Sequence, residues 1–414
     1  MSTAETDTAW SADFPTGVME PEYELWGEVE VDPAGLFEDI GSADRAYWDR
    51  ARRFILDEVR PVIDGYWDRA EYPVDLAKRL GDLDLLRDGL DLDGYPAMSV
   101  LAAGLVNMEL SRGDGSIGTI GAVQAGLALR SVIDCGSPEQ IAQWAPELAT
   151  ARVLGAFALT EPTHGSDSVS LETSAVRVEG GYLLNGEKKW IGNGSVGGIT
   201  IVWARDGAGA VRGFIVPQET PGYTGTTIGG KLSLRAIFQA HIRLENVFVP
   251  DAQVLPGANS FKDTAKVLFA TRLGVAWSAV GHATACYETA VQYAAQRIQF
   301  GRPLAASQIV QERLARMHSE LATMQLTVMQ ATSREEAGKL SPVQASVAKY
   351  TCTRIARTIA ANARDLLGGN GILLQNRVAR HLADIEAIHT YEGTETVQAL
   401  IIGRSITGIS AFAG

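Results

Sequence analysis

The chain has 414 residues, 46% hydrophobic and 21% charged, which are ordinary globular proportions in a chain long enough for two or three domains. A formal net charge of −13 repels phosphate backbones, which excludes general nucleic-acid binding and obliges any anionic ligand to find local Arg or Lys. No stretch of about eighteen apolar residues lacks a charge, so no membrane span is expected.

Residues 1–41 are acidic, carry Pro and Gly and keep no apolar period, which predicts an extended arm. No Lys or Arg precedes Arg45, so the start reads as neither a secretory signal nor a transit peptide. From Ser42 onward, Tyr47, Ala51, Phe54, Ile55 and Val59 fall at helical steps until Pro61. Leu101, Leu105, Met108 and Leu110 repeat the style, and a helical domain is predicted over 42–156. Inside it, Gly113-Asp114-Gly115-Ser116-Ile117-Gly118 spells G-x-G-x-x-G. The run before it reads as helix rather than strand, so a helix–helix turn is expected in place of a dinucleotide loop.

The pattern changes at Phe157. Ala175–Val178 and Tyr182–Leu184 flank Glu179-Gly180-Gly181 as a hairpin. Thr200–Trp203, Gly213–Val216 and His241–Leu244 are further short runs, predicting a β domain over 157–255. At its start an apolar strand leads into the loop Thr160-Glu161-Pro162-Thr163-His164-Gly165-Ser166-Asp167. Its hydroxyls and backbone N–H groups suit the polar edge of a flat heterocycle; taken alone, a plain turn is the commoner reading. Lys189-Trp190-Ile191-Gly192-Asn193 sets a Trp beside a turn, where it can cover such a ring or simply pack.

After Pro256, Leu268–Gln299, Ala306–Ala331 and Pro342–Leu367 are nearly free of breakers, predicting helices through a domain over 256–414; Gly368-Gly369-Asn370-Gly371 stops the last of them. Arg297-Ile298-Gln299-Phe300-Gly301-Arg302-Pro303 puts two guanidinium groups between helices, able to hold a pyrophosphate or to face solvent. Thr390-Tyr391-Glu392-Gly393-Thr394 puts one carboxylate in a helix break. Gly393 permits close approach of a ligand, and a desolvated Glu is a base; the plain alternative is a cap for the next helix. Cys135, Cys286 and Cys352 lie far apart, and the histidines show no ligand spacing. Reduced thiols in a cytoplasmic protein, without a metal, are expected.

From about residue 42 onward these segments together resemble the acyl-CoA dehydrogenase family. Residues 157–167 are similar to its L-T-E-P-x-x-G-S-D loop, and 190–192 to its Trp-Ile-Thr segment, with Gly192 where Thr is usual. Arg297 and Phe300-Gly301 fit R-x-x-F-G with Gln308 following, Asp365–Gly371 fits D-x-L-G-G-N-G, and Tyr391–Thr394 fits Y-E-G-T. The branch it resembles most is that of glutaryl-CoA dehydrogenases and short-chain acyl-CoA oxidases.

The resemblance implies a mainly α protein with a β middle domain: an N-terminal helical domain, a β-barrel and a C-terminal four-helix bundle. It implies FAD, an acyl-CoA substrate, electron-transfer flavoprotein as acceptor, and a homotetramer built as a dimer of dimers. By it, Glu392 takes the α-proton of the thioester. Phe157, Leu159, Thr160, Gly165, Ser166, Trp190, Ile191, Gly192 and Thr394 would contact the flavin. Arg297, Phe300, Gln308, Asp365, Leu366, Leu367, Gly368 and Gly369 would serve FAD across a subunit boundary. Ser166, Phe269, Arg272 and Gly393 would border the substrate.

One departure bears on substrate. Glutaryl-specific members carry E-R-V-D-S-G-Y-R, whose second Arg meets the distal carboxylate; here Ser111 stands for the Glu and Gly118 for that Arg. A distal carboxylate would be desolvated without a partner, so an uncharged short acyl group is expected. Arg130 is the nearby cation that could serve as a non-standard anchor for glutaryl-CoA. The remaining alternatives are an oxidase passing electrons to dioxygen and a non-catalytic scaffold, against which retention of Glu392 and the flavin motifs argues.

Overall fold

The computed structural model describes residues 22–412. The first half of the acidic arm, residues 1–21, lies outside the described residues. Residues 22–41 form no helix or strand, but they are strapped to the helical core rather than projecting from it. Leu25 and Phe37 are buried in the main core, and Gln325 Nε2 donates to the Val31 carbonyl at 2.6 Å. Two isolated apolar anchors have no period, which is why the sequence pattern does not reveal this docking.

Next come helices Ser42–Phe54, Ile63–Arg69, Val74–Asp82 and Val100–Gly113, with a π-helical stretch Ile55–Val59 after the first. Asp114 ends Val100–Gly113 and starts the next helix, its carboxylate accepting from Ser116 N–H at 2.8 Å and Ile117 N–H at 3.3 Å. The glycine-rich hexapeptide is therefore a capped helix–helix turn. The helix that follows, Gly115–Cys135, is long and apolar enough to cross a membrane, with mean hydropathy 1.3 over its most apolar window. That window is 78% buried within the fold, as a core helix would be. Its middle, Ala122–Leu129, is π-helical. Such widened turns often sit at functional sites. Pro138–Ala149 follows, closed by a capping box from Ser137 and Gln140.

The middle domain is a curled seven-stranded sheet. Its strands are β1 (Gly155–Ala158), β2 (Ser174–Val178), β3 (Gly181–Gly192), β4 (Ile199–Asp206), β5 (Val211–Pro217), β6 (Tyr223–Thr227) and β7 (Gln239–Pro250). The order is β1-β4-β2-β3-β7-β6, with β5 antiparallel to β4, and among the described residues no ladder joins β6 back to β1 or β5. The curl encloses one apolar cluster that includes Ala158, Val202, Phe214 and Ile242. The opposite face, with Phe157, Ile201 and Trp203, packs on Leu129 and Leu148 of the N-terminal helices. This is the period-2 alternation of a sheet buried on both sides.

The third domain contains long helices Phe261–Gln296, Gln308–Glu336 and Pro342–Leu366, and shorter ones Val378–Thr390 and Glu395–Thr407. The first starts before the apolar run because Ser260 and Asp263 cap it; Asp263 Oδ2 accepts from Ser260 N–H at 2.9 Å. It runs through the centre of the molecule, buried on nearly every side.

Candidate active site

A cavity of about 340 Å³ opens where the three domains meet. The sheet contributes Phe157, Leu159, Thr160, Gly165, Ser166, Trp190, Ile191 and Gly192 to its wall. The π-helical stretch contributes Val123, Gly126 and Leu127, and helix Phe261–Gln296 contributes Leu268, Thr271, Arg272 and Val275. Glu392 and Gly393 come from the break between the last two helices.

That break is held in an unusual shape. Glu392 has φ +56 and Gly393 φ +78, two successive left-handed residues, a conformation that costs a non-glycine residue energy and must be over-determined by its surroundings. Three groups supply the restraint. Gln398 Nε2 donates to the Glu392 carbonyl at 2.9 Å, and Lys349 Nζ donates to the carbonyls of both Tyr391 and Gly393. Thr394 caps the following helix, its hydroxyl accepting from Val397 N–H at 3.2 Å. Burial raises the Glu392 carboxyl above its ordinary value, against the pull of Lys349, Arg272 and the Thr271 hydroxyl. Burial likewise pulls Lys349 down to about 7, although Glu392 favours its charge. The arrangement makes a half-buried carboxylate of increased basicity on the cavity wall.

Across the cavity the Thr160–Ser166 loop is pinned from below. Glu161 is buried, accepts from Glu172 N–H at 2.7 Å and Thr173 N–H at 2.8 Å, and pairs with buried Lys188 at 2.9 Å. Lys188 Nζ also donates to the Leu159 carbonyl at 3.0 Å, and Lys189 N–H to the Thr160 carbonyl at 2.9 Å. Burial opposes ionisation of Glu161, but Lys188 and these hydrogen bonds outweigh it and hold the carboxyl at about 2. The ion pair thus fixes where the loop's hydroxyls point.

The donor set fits the flavin that the sequence implies. Among the described residues, the Thr160 and Ser166 hydroxyls have no hydrogen-bond partner, and both stand on the wall. Trp190 presents an aromatic face that is 56% exposed, with φ +66, so the backbone is bent to turn a large apolar ring outward. Polar groups along one edge and an uncovered aromatic face match a flat heterocycle with a polar rim.

Other expected residues lie elsewhere. Arg297, Phe300, Gln308, Asp365, Leu366, Leu367, Gly368 and Gly369 do not line this chain's cavity. Arg297 bonds Tyr23 Oη at 3.0 Å, Asp365 pairs with Arg313, and Leu367 is buried in the core. Thr394 is off the wall, occupied by its cap. Phe269 is also off it: cavity contacts on its helix fall at Ala265, Leu268, Thr271, Arg272 and Val275, steps of three and four that skip position 269. Gly118 and Ser111 do not reach the cavity either. They pack on each other, and a Cβ on Gly118 would lie 2.3 Å from Ser111 Oγ and 3.2 Å from its Cα. An Arg could not stand at 118 without moving the helix Val100–Gly113. Arg130 sits behind the wall, its Nη2 donating to Asp88 Oδ2 at 3.2 Å and to the Asp88 carbonyl at 2.8 Å.

Sequence reading missed Lys349, Gln398, Lys188 and Asp88. Of these, only Gln398 carried a local signal: it follows the cap at Thr394 by one helical turn, the spacing that folds a side chain back over a loop.

The chain matches the acyl-CoA dehydrogenase N-terminal domain over residues 42–152, the middle domain over 156–247 and the C-terminal domain over 261–407. An acyl-CoA dehydrogenase of Bacillus subtilis is 34% identical over 365 residues, 86% of this chain and 96% of that protein. The crystal structure of glutaryl-CoA dehydrogenase from Mycobacterium smegmatis is 39% identical with a TM-score of 0.88, covering 92% of this chain and 98% of that one. A glutaryl-CoA dehydrogenase structure from the same organism, in complex with FADH2, is 35% identical with a TM-score of 0.89, covering 92% of this chain and all of that one.

Proposed function

Because the chain belongs to the acyl-CoA dehydrogenase family of flavin-dependent enzymes, with FAD as its cofactor, we propose that it α,β-dehydrogenates a short, uncharged acyl-CoA thioester with Glu392 as the base. The observation that carries this reading is Glu392 itself, half-buried, strained into the left-handed region and facing a cavity whose opposite wall offers the flavin contacts. When bound, FAD supplies the acceptor for the β-hydride. Thr160 and Ser166 would hold its polar edge, Trp190 would cover its ring, and the Glu161–Lys188 pair would keep that loop in place.

The α-proton moves to a Glu392 carboxylate oxygen. Developing charge on the thioester oxygen needs a preset donor, and the Glu392 backbone N–H, without an acceptor among the described residues, is the group we assign. Lys349 and Gln398 hold that peptide so that little reorganisation accompanies the transfer. The neutral-tail preference rests on Asp88, an acid on the cavity wall whose partner Arg130 stands behind that wall.

We further assign electron-transfer flavoprotein as acceptor and a homotetramer as the working form. The support for assembly is an apolar surface around Arg297: Ile298, Ile309, Ile372 and fully exposed Phe300 project outward beside it. Asn370 Nδ2, donating to Tyr293 Oη at 3.0 Å, ties the 368–372 turn to the same end of the long helix. Exposed apolar clusters of this kind mark interfaces. A peroxide assay in air discriminates an oxidase: sustained stoichiometric peroxide would replace the flavoprotein acceptor.

Glu392→Gln keeps size and hydrogen bonding but cannot accept the proton. FAD and CoA-ester binding should persist while turnover falls about a hundredfold or more. Near-normal turnover by this variant would sink the assignment.

A further inference from the structure

We infer that the cavity ends in a subsite for a neutral hydrogen-bond donor on the acyl tail, formed by Asp88 with Asn107, so that the preferred thioesters carry a hydroxyl or amide N–H near the end of a short chain. This deepens the dehydrogenase reading above and rests on it.

Both residues line the cavity. Asp88 sits in a tight turn at φ +49, followed by Gly89 at φ +75, a conformation that aspartate tolerates better than most side chains. Its carboxylate is held from two sides, by Asn107 Nδ2 at 3.2 Å and by Arg130 Nη2 at 3.2 Å. A carboxylate can accept about four hydrogen bonds, so capacity remains on the cavity side.

Two glycines expose this end. A Cβ on Gly126 would stand 3.2 Å from Asp88 Oδ2 and 3.1 Å from Thr271 Cγ2, and one on Gly274 would stand 3.1 Å from Asn107 Nδ2. Thr271, whose hydroxyl donates to the Leu268 carbonyl at 3.2 Å, shares the cavity wall with Glu392, so the acceptor end lies on the side of the base. It is also removed from the sheet wall: one turn earlier on the same helical stretch, Val123 is the residue a Cβ on Gly192 would meet, at 3.0 Å. A thioester whose α-carbon lies at Glu392 would therefore point its tail past Thr271 toward Asp88.

Charge decides the chemistry of that tail. The Asp88 charge is balanced by Arg130, whose side chain is 15% exposed and off the cavity wall. The cation on the wall, Arg272, faces Glu392 at the thioester end; at the far end a carboxylate tail would meet Asp88 before Arg130, with Glu335 pushed up to about 7 by burial and by Asp88 close behind. An ammonium tail would compete with Arg130 for the same acid. A bare alkyl tail would desolvate Asp88 and return no hydrogen bond. A hydroxyl or amide N–H donates to Asp88 and leaves the ion pair intact.

The test is anaerobic flavin bleaching by the FAD-loaded full chain with butyryl-CoA, 4-hydroxybutyryl-CoA, 5-hydroxypentanoyl-CoA and glutaryl-CoA. The better hydroxyacyl ester should exceed butyryl-CoA in kcat/KM by about tenfold or more, with glutaryl-CoA slower than either. Asp88→Asn suits the left-handed turn and removes the charge that masks Arg130, so the glutaryl-to-hydroxyacyl ratio should rise about tenfold. Asn107→Leu should lower the hydroxyacyl-to-butyryl ratio. Bleaching by butyryl-CoA equal to or faster than by both hydroxyacyl esters overturns this inference alone, as do ratios unmoved in both variants. No bleaching by any ester overturns the dehydrogenase reading and this inference with it.

Discussion

Lys349 Nζ donates to the carbonyl of Gly393 at 2.5 Å, and to that of Tyr391 as well, so one buried ammonium brackets the residue between them, Glu392. The contact acts twice. It fixes the peptide that carries the base, and it places a positive charge close enough to resist the upward push that burial exerts on the carboxyl.

Lys349→Met should separate these effects from a purely structural role. A cation favours the ionised carboxylate, so removing it raises the Glu392 pKa. The acid limb of the kcat/KM profile should move to higher pH by about one unit or more, with kcat also lower. Arg272→Gln removes a second cation facing the same carboxyl and should move the limb in the same direction. A lower kcat with an unmoved limb in both variants would mean that the cations only support the loop.

The Glu161–Lys188 pair predicts a flavin defect. Lys188→Met leaves a buried carboxylate without its counter-ion, a change that typically costs about 3–5 kcal/mol. Because the strain falls on the 159–166 loop, FAD occupancy should drop along with the melting temperature, and excess FAD should recover part of both. In the wild type, Glu161 is held at about 2 against an ordinary 4.5. A depressed carboxyl stabilises the fold fully above its unfolded value, and that contribution is lost as pH falls from 4.5 toward 2. Absorbance of free flavin after acid titration and rapid filtration checks both statements; full occupancy in Lys188→Met would refute them.

Arg297 is half-buried and bonded to Tyr23 within the chain, beside outward-facing Phe300. If it reaches FAD across a subunit boundary, Arg297→Ala should lose flavin and assembly together, since a ligand that binds only the assembled form stabilises it. Flavin absorbance and light scattering on one sample measure both. An intact, flavin-replete oligomer would leave Arg297 a surface charge.

Domain style and the break that carries Glu392 were legible from the sequence because each depends on local pattern, whereas the role of base came only from the family resemblance. Helical spacing around Tyr47 and Phe54 and the Glu-Gly break at 392 need no long-range knowledge. The groups that tune the base were not legible, because the fold brings them from far along the chain. Lys349 looks like any helix lysine until residues 391–393 close over it, and Asp88 looks like a turn residue until Arg130 and Asn107 converge on it. Phe269 shows a different limit. Helix Phe261–Gln296 is apolar around most of its circumference, so hydrophobic pattern sets no phase and the side facing the cavity stays undetermined.

Gly118 shows how a correct alignment can mislead a test. The absence of an arginine there invites Gly118→Arg as a way to confer glutaryl-CoA turnover. In the fold, Gly118 is buried against Ser111, and even a Cβ would stand 2.3 Å from Ser111 Oγ. The variant should therefore lose stability, through overpacking of about 1–3 kcal/mol and a buried unpaired charge besides, with no gain in glutaryl-CoA turnover relative to butyryl-CoA. Gly118→Ala isolates the packing part and should lower the melting temperature on its own. Adding Ser111→Ala removes the oxygen at 2.3 Å but leaves Ser111 Cα at 3.2 Å, so the double variant should recover some of that loss without reaching the wild type. Thermal melts of the three variants order the effects. A soluble, flavin-replete Gly118→Arg protein with faster glutaryl-CoA turnover would show that the helix Val100–Gly113 yields, and that the space between Ser111 and Gly118 opens into the acyl pocket after all.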